Sequence, residues 1–310
     1  MKKNVLVAGG LGFLGANVVE EFKARDYKVE VCSRSTGVDI RNFDQINDCL
    51  AKLKPGIIIN CAAHVGGIAY NAKCPVAIYE DNLLVGFNLL KAAVQNNVGK
   101  FVNIMPNCTY PGTKDIYREG EWWDGPMHPT VLTYGMPRKA LWVQSCSYCL
   151  EHGFKSIHLV LPNLYGPRDH FDIIRSHALG ALVKKVVEAK LNNKPSVEIW
   201  GTGTPIREWM YVEDAAKGIV IATEKYDQMD ILNLACQKGY SIKEIAEAIR
   251  AEVKWSGEFV YQTDKPDGAP KKILDMTNMK KHLGWMPKTS LPEGIKKTIQ
   301  WYLDNRERIK

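Results

Sequence analysis

The sequence predicts an α/β protein built on a doubly wound parallel sheet, with a smaller C-terminal portion. Three observations carry that expectation. Short apolar runs alternate with amphipathic stretches through the first half of the chain. Those runs are predominantly apolar, as the buried strands of a parallel sheet are. A glycine-rich turn follows the first run, where a strand would hand over to a helix. Residues 5–8 form the first predicted strand, and 29–32, 57–61, 101–105 and 156–161 form those that follow. Helices are expected over 13–25, 43–53, 82–97 and 137–152. After Asn163 the alternation loosens and Gly/Pro-rich turns appear at 201–205 and 266–270. The expected division is therefore 1–163 and 164–310, with some of the later segments returning to the sheet.

Composition narrows the class. The chain is 45% hydrophobic and 24% charged, which excludes disorder, collagen and coiled coil. Lys and Arg outnumber Asp and Glu by 41 to 34, giving +7, and the excess is scattered along the chain. A scattered excess fits an anionic small molecule better than a nucleic acid, whose footprint would be clustered. The 8 cysteines are dispersed, mostly within apolar runs. Met1-Lys2-Lys3 leads straight into the first strand, and no apolar stretch reaches the roughly 18 residues of a membrane span. The expectation is a cytoplasmic protein with reduced thiols, bound to neither membrane nor nucleic acid.

The first turn carries the clearest binding signal. Gly9, Gly12 and Gly15 form a G-x-x-G-x-x-G in which Phe13 and Leu14 open the helix. Glycine permits the tight turn and a close backbone approach, and the helix N-terminus then faces a pyrophosphate. The second strand ends at Ser33-Arg34, where an acid would read the ribose hydroxyls of NAD. Arg beside a neutral residue suits a 2′-phosphate, so NADP(H) is the expected cofactor. Asp39-Ile40 opens the next segment and is placed to meet the adenine amino group.

This Rossmann-type arrangement resembles the extended short-chain dehydrogenase/reductase family, and the resemblance narrows to its GDP-L-fucose synthase branch. It is carried by Ala62-Ala63-His64-Val65-Gly66-Gly67-Ile68, Asn107-Cys108-Thr109-Tyr110-Pro111, Asn163-Leu164-Tyr165-Gly166-Pro167 and Ser176-His177. The blocks at 200–208 and 265–268 extend it over nearly the whole chain. The resemblance implies a GDP-linked 4-keto sugar as substrate, epimerised at C3 and C5 and then reduced at C4 with NADPH. It implies an NADP-binding N-terminal domain over 1–163, to which Ala62 and Ala63 also contribute, and a mainly nucleotide-sugar-binding portion over 164–310. It also implies a homodimer formed through the helices near 82–97 and 137–152.

Residue by residue, the resemblance places Cys108 and His177 as the acid/base pair of epimerisation and Tyr134 as the proton donor of reduction. A thiolate and an imidazolium are chemically suited to that exchange. The family pattern is Tyr-x-x-x-Lys, but the sequence reads Tyr134-Gly135-Met136-Pro137-Arg138-Lys139. Arg138 holds the lysine position, and Lys139 follows one residue later. A regular helix turns Lys139 about 100° away from Tyr134. A helix started late by Pro137 would change which basic side chain meets the phenol. A second departure is Pro106, which stands where the family has a Ser or Thr hydroxyl on the substrate carbonyl. Asn107 and Thr109 flank the gap as alternative donors.

For the substrate, the resemblance points to Asn163, Lys185, Trp200, Arg207 and Lys265. Other features are read as structural. Cys146-Ser147-Tyr148-Cys149 lies mid-helix with no second cysteine pair, so no metal is expected. Trp122-Trp123 is either a lid over the sugar or a loop packed on the surface. An epimerase or C4 dehydrogenase with little net reduction, and a non-catalytic binder of NADP or a nucleotide sugar, are the competing readings.

Overall fold

The computed structural model describes residues 4–172, 176, 178–265 and 267–309. In chain order the elements are β1 (Asn4–Ala8), α1 (Phe13–Ala24), β2 (Lys28–Cys32), α2 (Phe43–Leu53), β3 (Ile57–Asn60), α3 (Ile68–Lys73), α4 (Pro75–Gln95), β4 (Lys100–Pro106), β5 (Ile116–Tyr117) and α5 (Leu132–His152). They continue with β6 (Ser156–Leu161), β7 (Asn163–Tyr165), α6 (Ala178–Leu191), β8 (Ser196–Trp200), β9 (Ile206–Tyr211), α7 (Val212–Lys225) and β10 (Ile231–Asn233). The last are β11 (Gly239–Ser241), α8 (Ile242–Val253), β12 (Glu258–Gln262), β13 (Lys271–Leu274), α9 (Thr277–Leu283) and α10 (Leu291–Asn305).

Six parallel strands form one sheet in the order β10-β6-β4-β3-β1-β2. Alternation along β1 shows why its run is continuously apolar. Val5 and Val7 join a core with Val18 and Phe22 of α1 and Ile219 of α7. Leu6 and Ala8 join a second core with Ile46 of α2, Leu89 of α4 and Leu141 of α5. Both faces are thus buried, as a doubly wound sheet demands. A third core gathers α6, α8 and α10 around β8 and β9, in the C-terminal half.

The sheet order reverses between β1 and β3, and ligands of such folds bind outside the strand ends at that point. One buried polar group ties the later part of the chain to the earlier, and a second ties segments of the later part to one another. Asn233 on β10 donates to the Tyr117 carbonyl at 2.9 Å and accepts from the Tyr110 hydroxyl at 2.7 Å. Glu208 on β9 accepts from the backbone N–H groups of Leu274 at 2.6 Å, Gln237 at 3.0 Å and Cys236.

Two helices begin earlier than their periodicity suggests. Proline at the first position of α4, Pro75, starts that helix ahead of 82. α5 starts at Leu132, so Pro137 lies inside it rather than in its first turn. The late start that would have redirected Lys139 does not occur.

Candidate active site

The strand ends at the reversal open on one cavity of about 560 Å³. Gly12, Phe13 and Leu14 line it at one end, with Ala62 and Ala63 of the loop after β3. Trp200, Arg207 and Lys185 line the other, and Asn107, Cys108, Tyr134, Arg138 and Asn163 lie between.

The glycine turn is shaped for close approach. Gly9 has φ +73°, and a Cβ there would stand 2.9 Å from the Ala62 backbone. A Cβ on Gly15 would meet the Gly9 carbonyl at 2.2 Å, so the helix can pack this near the strand only without a side chain. Gly12 caps α1 with no side-chain hydrogen bond, leaving the first N–H groups of the helix to a ligand. These residues fit a dinucleotide pyrophosphate. A second cavity, about 280 Å³, adjoins the first and shares Ala63, Val65 and His170 with it. Arg34, Asp39 and Ile40 line it, as do Arg41, His64 and Asp81. The Asp39 carboxylate is held by Arg41 at 2.6 Å, and Arg41 also reaches Asp81 at 3.0 Å. The Arg41 hydrogen bond holds the Asp39 carboxyl below its ordinary range. Ser33 lines neither cavity; its side chain caps the short turn at 34–36.

Tyr134 and Arg138 stand one turn apart on α5, with the guanidinium carbon 5.8 Å from the phenol ring centre. Arg138 is buried and donates through Nη2 to Asn82 Oδ1 at 2.8 Å and to the Ala62 carbonyl at 3.1 Å. Among the described residues, its Nε and Nη1 have no hydrogen-bond partner. Burial raises the Tyr134 hydroxyl, and the charge of Arg138 opposes that rise.

Lys139 does not take the place of the lysine. It points to the other side of α5, where Nζ donates to the Trp122 carbonyl at 2.6 Å and lies 4.8 and 4.2 Å from the rings of Trp122 and Trp123. The cause is the 100° turn per residue of a helix that runs unbroken through Pro137. Burial pushes the Lys139 ammonium down to about 8. The same contacts settle the Trp122-Trp123 loop. The two rings pack with Trp142 and line no part of the cavity, so they are not a lid over it.

At the end of β4, the Pro106 carbonyl accepts from Thr109 Oγ1 at 2.9 Å, and that oxygen accepts from Trp122 Nε1 at 2.9 Å. Thr109 is therefore committed to its own turn. Asn107 is buried beside the cavity, and among the described residues its Nδ2 has no partner. Cys108 is 7% exposed; burial raises its thiol, while Lys272 and Arg138 act in the opposite sense. His177 lies outside the described residues.

At the far end, Lys185 Nζ donates to the Glu198 carbonyl at 2.9 Å and Arg207 Nη1 to the Ile206 carbonyl at 2.9 Å. Trp200 is half-exposed at the rim. Lys265 does not line the cavity; it pairs with Asp264 at 3.0 Å and stands 5.9 Å from the Trp200 ring centre. Asp267 lines the cavity instead, accepting from the Thr202 backbone at 2.8 Å and its hydroxyl at 2.7 Å.

Two cavity residues escaped the sequence reading: Asp169 and Lys272. Asp169 is buried, its Oδ2 has no partner among the described residues, and burial pushes its carboxyl up to about 8. Lys271-Lys272 reads in sequence as surface charge, and only the strand pairing reveals that the second lysine faces inward. Among the described residues, no three metal-ligating side chains converge, and no helix is long and apolar enough to cross a membrane.

Comparison with known proteins identifies relatives of this fold. Residues 5–235 match the NAD dependent epimerase/dehydratase family. The chain is 31% identical to the probable GDP-L-fucose synthase 1 of Oryza sativa subsp. japonica, over 97% of this chain and 92% of that one. The GDP-6-OMe-4-keto-L-xylo-heptose reductase from C. jejuni superposes with a TM-score of 0.93 at 27% identity, covering 98% of both chains. MlghC, a GDP-mannoheptose C4 reductase from Campylobacter jejuni with NADP bound, gives 0.87 at 26% identity over 97% of this chain and 98% of that one. With its glycine turn, its tyrosine helix and full-length likeness to such proteins, the chain belongs to the NAD dependent epimerase/dehydratase family, among the relatives of GDP-L-fucose synthase.

Proposed function

We propose that this protein is an NADP(H)-dependent epimerase/reductase of a GDP-linked 4-keto sugar. The observation that carries the reading is one cavity with a pyrophosphate-shaped glycine turn at one end, Lys185 and Arg207 at the other, and Cys108 and Tyr134 between. A 4-keto group acidifies the hydrogens on C3 and C5. Cys108 removes such a proton, and His177, assigned through the family pattern, returns one from the other face. Bound NADPH supplies the hydride for C4. Tyr134 gives the carbonyl oxygen its proton, and Arg138 holds the phenol's charge without shuttling a proton itself.

Residues 1–163 carry the cofactor in this reading, with Gly9, Gly12 and Gly15 at the pyrophosphate and Arg34 at the 2′-phosphate. Residues 164–310 carry most of the sugar nucleotide, with Asn163 at the boundary and Trp200 at the rim. The protein acts as a cytoplasmic homodimer. Val143 and Leu150 on α5, with Val76 and Leu84 on α4, are apolar and outward-facing, and a second copy would cover them. The 8 cysteines are all free, which suits a reducing compartment.

A second reading, an epimerase with little net reduction, is favoured by Pro106 and Arg138 standing at two relay positions. One experiment addresses both. With a GDP-4-keto-6-deoxy sugar in D₂O, deuterium entry at C3 and C5 is followed beside NADPH oxidation. Exchange that is lost in Cys108→Ser and His177→Ala is expected. Absence of exchange in the wild type, or exchange unchanged in both variants, refutes the epimerase chemistry.

A further inference from the structure

Lys272 is a buried cation that the chemistry above leaves unused. It lies on β13, lines the same cavity as Cys108, and is only 9% exposed. Strand register sets it beside Arg207 on β9. Burial and the Arg207 guanidinium both press its ammonium toward the neutral form, while the Cys108 sulfur acts the other way; among the described residues no carboxylate is one of the groups acting on it. Two cations side by side in a protein wall are costly unless an anion meets them. Cys108 has the complementary need. Its charge bears on the phenols of Tyr134 and Tyr117, and among the described residues the positive groups acting on it are Lys272 and Arg138. Arg138 is already bound to Asn82 and the Ala62 carbonyl. The nearby His128 adds no negative charge, and the Lys272 and Arg207 charges hold it toward its neutral form, after burial itself.

We propose that Lys272 is the positioning residue of the epimerisation, its ammonium supplying the positive charge against which the Cys108 sulfur ionises. The thiolate takes one C–H proton and becomes a thiol. The carbon's electron pair moves onto the C4 oxygen as an enolate, and reprotonation of carbon from the opposite face restores the ketone. This inference rests on the reading of Cys108 as the base and adds the group that makes it basic.

The test needs no substrate. Alkylation of Cys108 by iodoacetamide is followed across pH in the full-length apo protein, read by mass spectrometry on the Cys108 peptide so that the other thiols do not contribute. Wild type is compared with Lys272→Met, Lys272→Gln and Lys272→Arg, each checked for folding by circular dichroism. Either neutral variant is expected to move the midpoint up by about one pH unit and slow alkylation near neutrality about tenfold. Lys272→Arg is expected to stay within about twofold of wild type, since it keeps the charge. An unmoved profile in a folded neutral variant overturns the proposal. So does a rise in KM for the nucleotide sugar with the profile unmoved, which would make Lys272 a phosphate anchor only. Such a failure leaves Cys108 as the base untouched; that reading fails separately, if deuterium exchange survives Cys108→Ser.

Discussion

Restoring the two altered relay positions, Pro106→Ser together with Arg138→Lys, is expected to raise NADPH oxidation more than it raises proton exchange. The serine would place a hydroxyl where proline offers neither hydroxyl nor amide hydrogen. Removing one preorganised donor from a developing oxyanion costs on the order of 10²–10³ in rate, so adding one sets the scale of the gain. The structure also sets the cost. Arg138 would give up its bonds to Asn82 Oδ1 and the Ala62 carbonyl, at 2.8 and 3.1 Å. At roughly 1 kcal/mol each, that is about 2 kcal/mol of stability if lysine replaces neither. Asn82 Oδ1 keeps the His64 N–H at 3.1 Å, so it is not left bare. The Thr109 hydroxyl still has the backbone carbonyl of residue 106 to donate to, so the turn survives the substitution. The assay is single-turnover NADPH oxidation beside deuterium entry at C3 and C5, in wild type and in the single and double variants. Wild-type oxidation at ordinary reductase turnover, unimproved in the double variant, would refute the reasoning and show that Asn107 and Arg138 form a competent relay of their own.

Other expectations follow from separate parts of the molecule. Arg34→Ala should weaken NADPH binding by about tenfold to a hundredfold while leaving NADH nearly unchanged, read by fluorescence titration; equal binding of both cofactors by the wild type would count against the 2′-phosphate assignment. Light scattering at micromolar concentration should give a dimer, and Val143→Glu with Leu150→Glu should shift it to monomer; a monomeric wild type contradicts the proposed interface. His158 on β6 is fully buried, and burial pushes its imidazole down to about 3, so it stays neutral in the fold while an unfolded histidine would charge. Its contribution is therefore present above about pH 6.5 and lost as pH falls toward 3, at about 1.4 kcal/mol per unit. Urea unfolding of His158→Gln should show a shallower loss of stability between pH 6 and 4 than wild type, and parallel curves would exclude His158 as the source.

The sequence by itself determined the class of fold and the glycine turn after β1, because the information there is local. The central strands of the sheet are short, largely apolar runs buried on both faces, and Gly9 and Gly15 are positions where a side chain would strike backbone. Spacing alone also placed Arg138 one helical turn from Tyr134. What it left open was whether Pro137 shifts the helix, and that was decided by packing. α5 runs from Leu132 through the proline and turns Lys139 into the Trp122 and Trp123 rings. The substrate end was least legible. Lys265 and Lys272 look alike in sequence, yet one pairs with Asp264 at the surface and the other lies buried beside Arg207. Only the pairing of β13 with β9 makes that difference, since the burial of a lysine depends on which distant strand covers it and not on its neighbours in the chain.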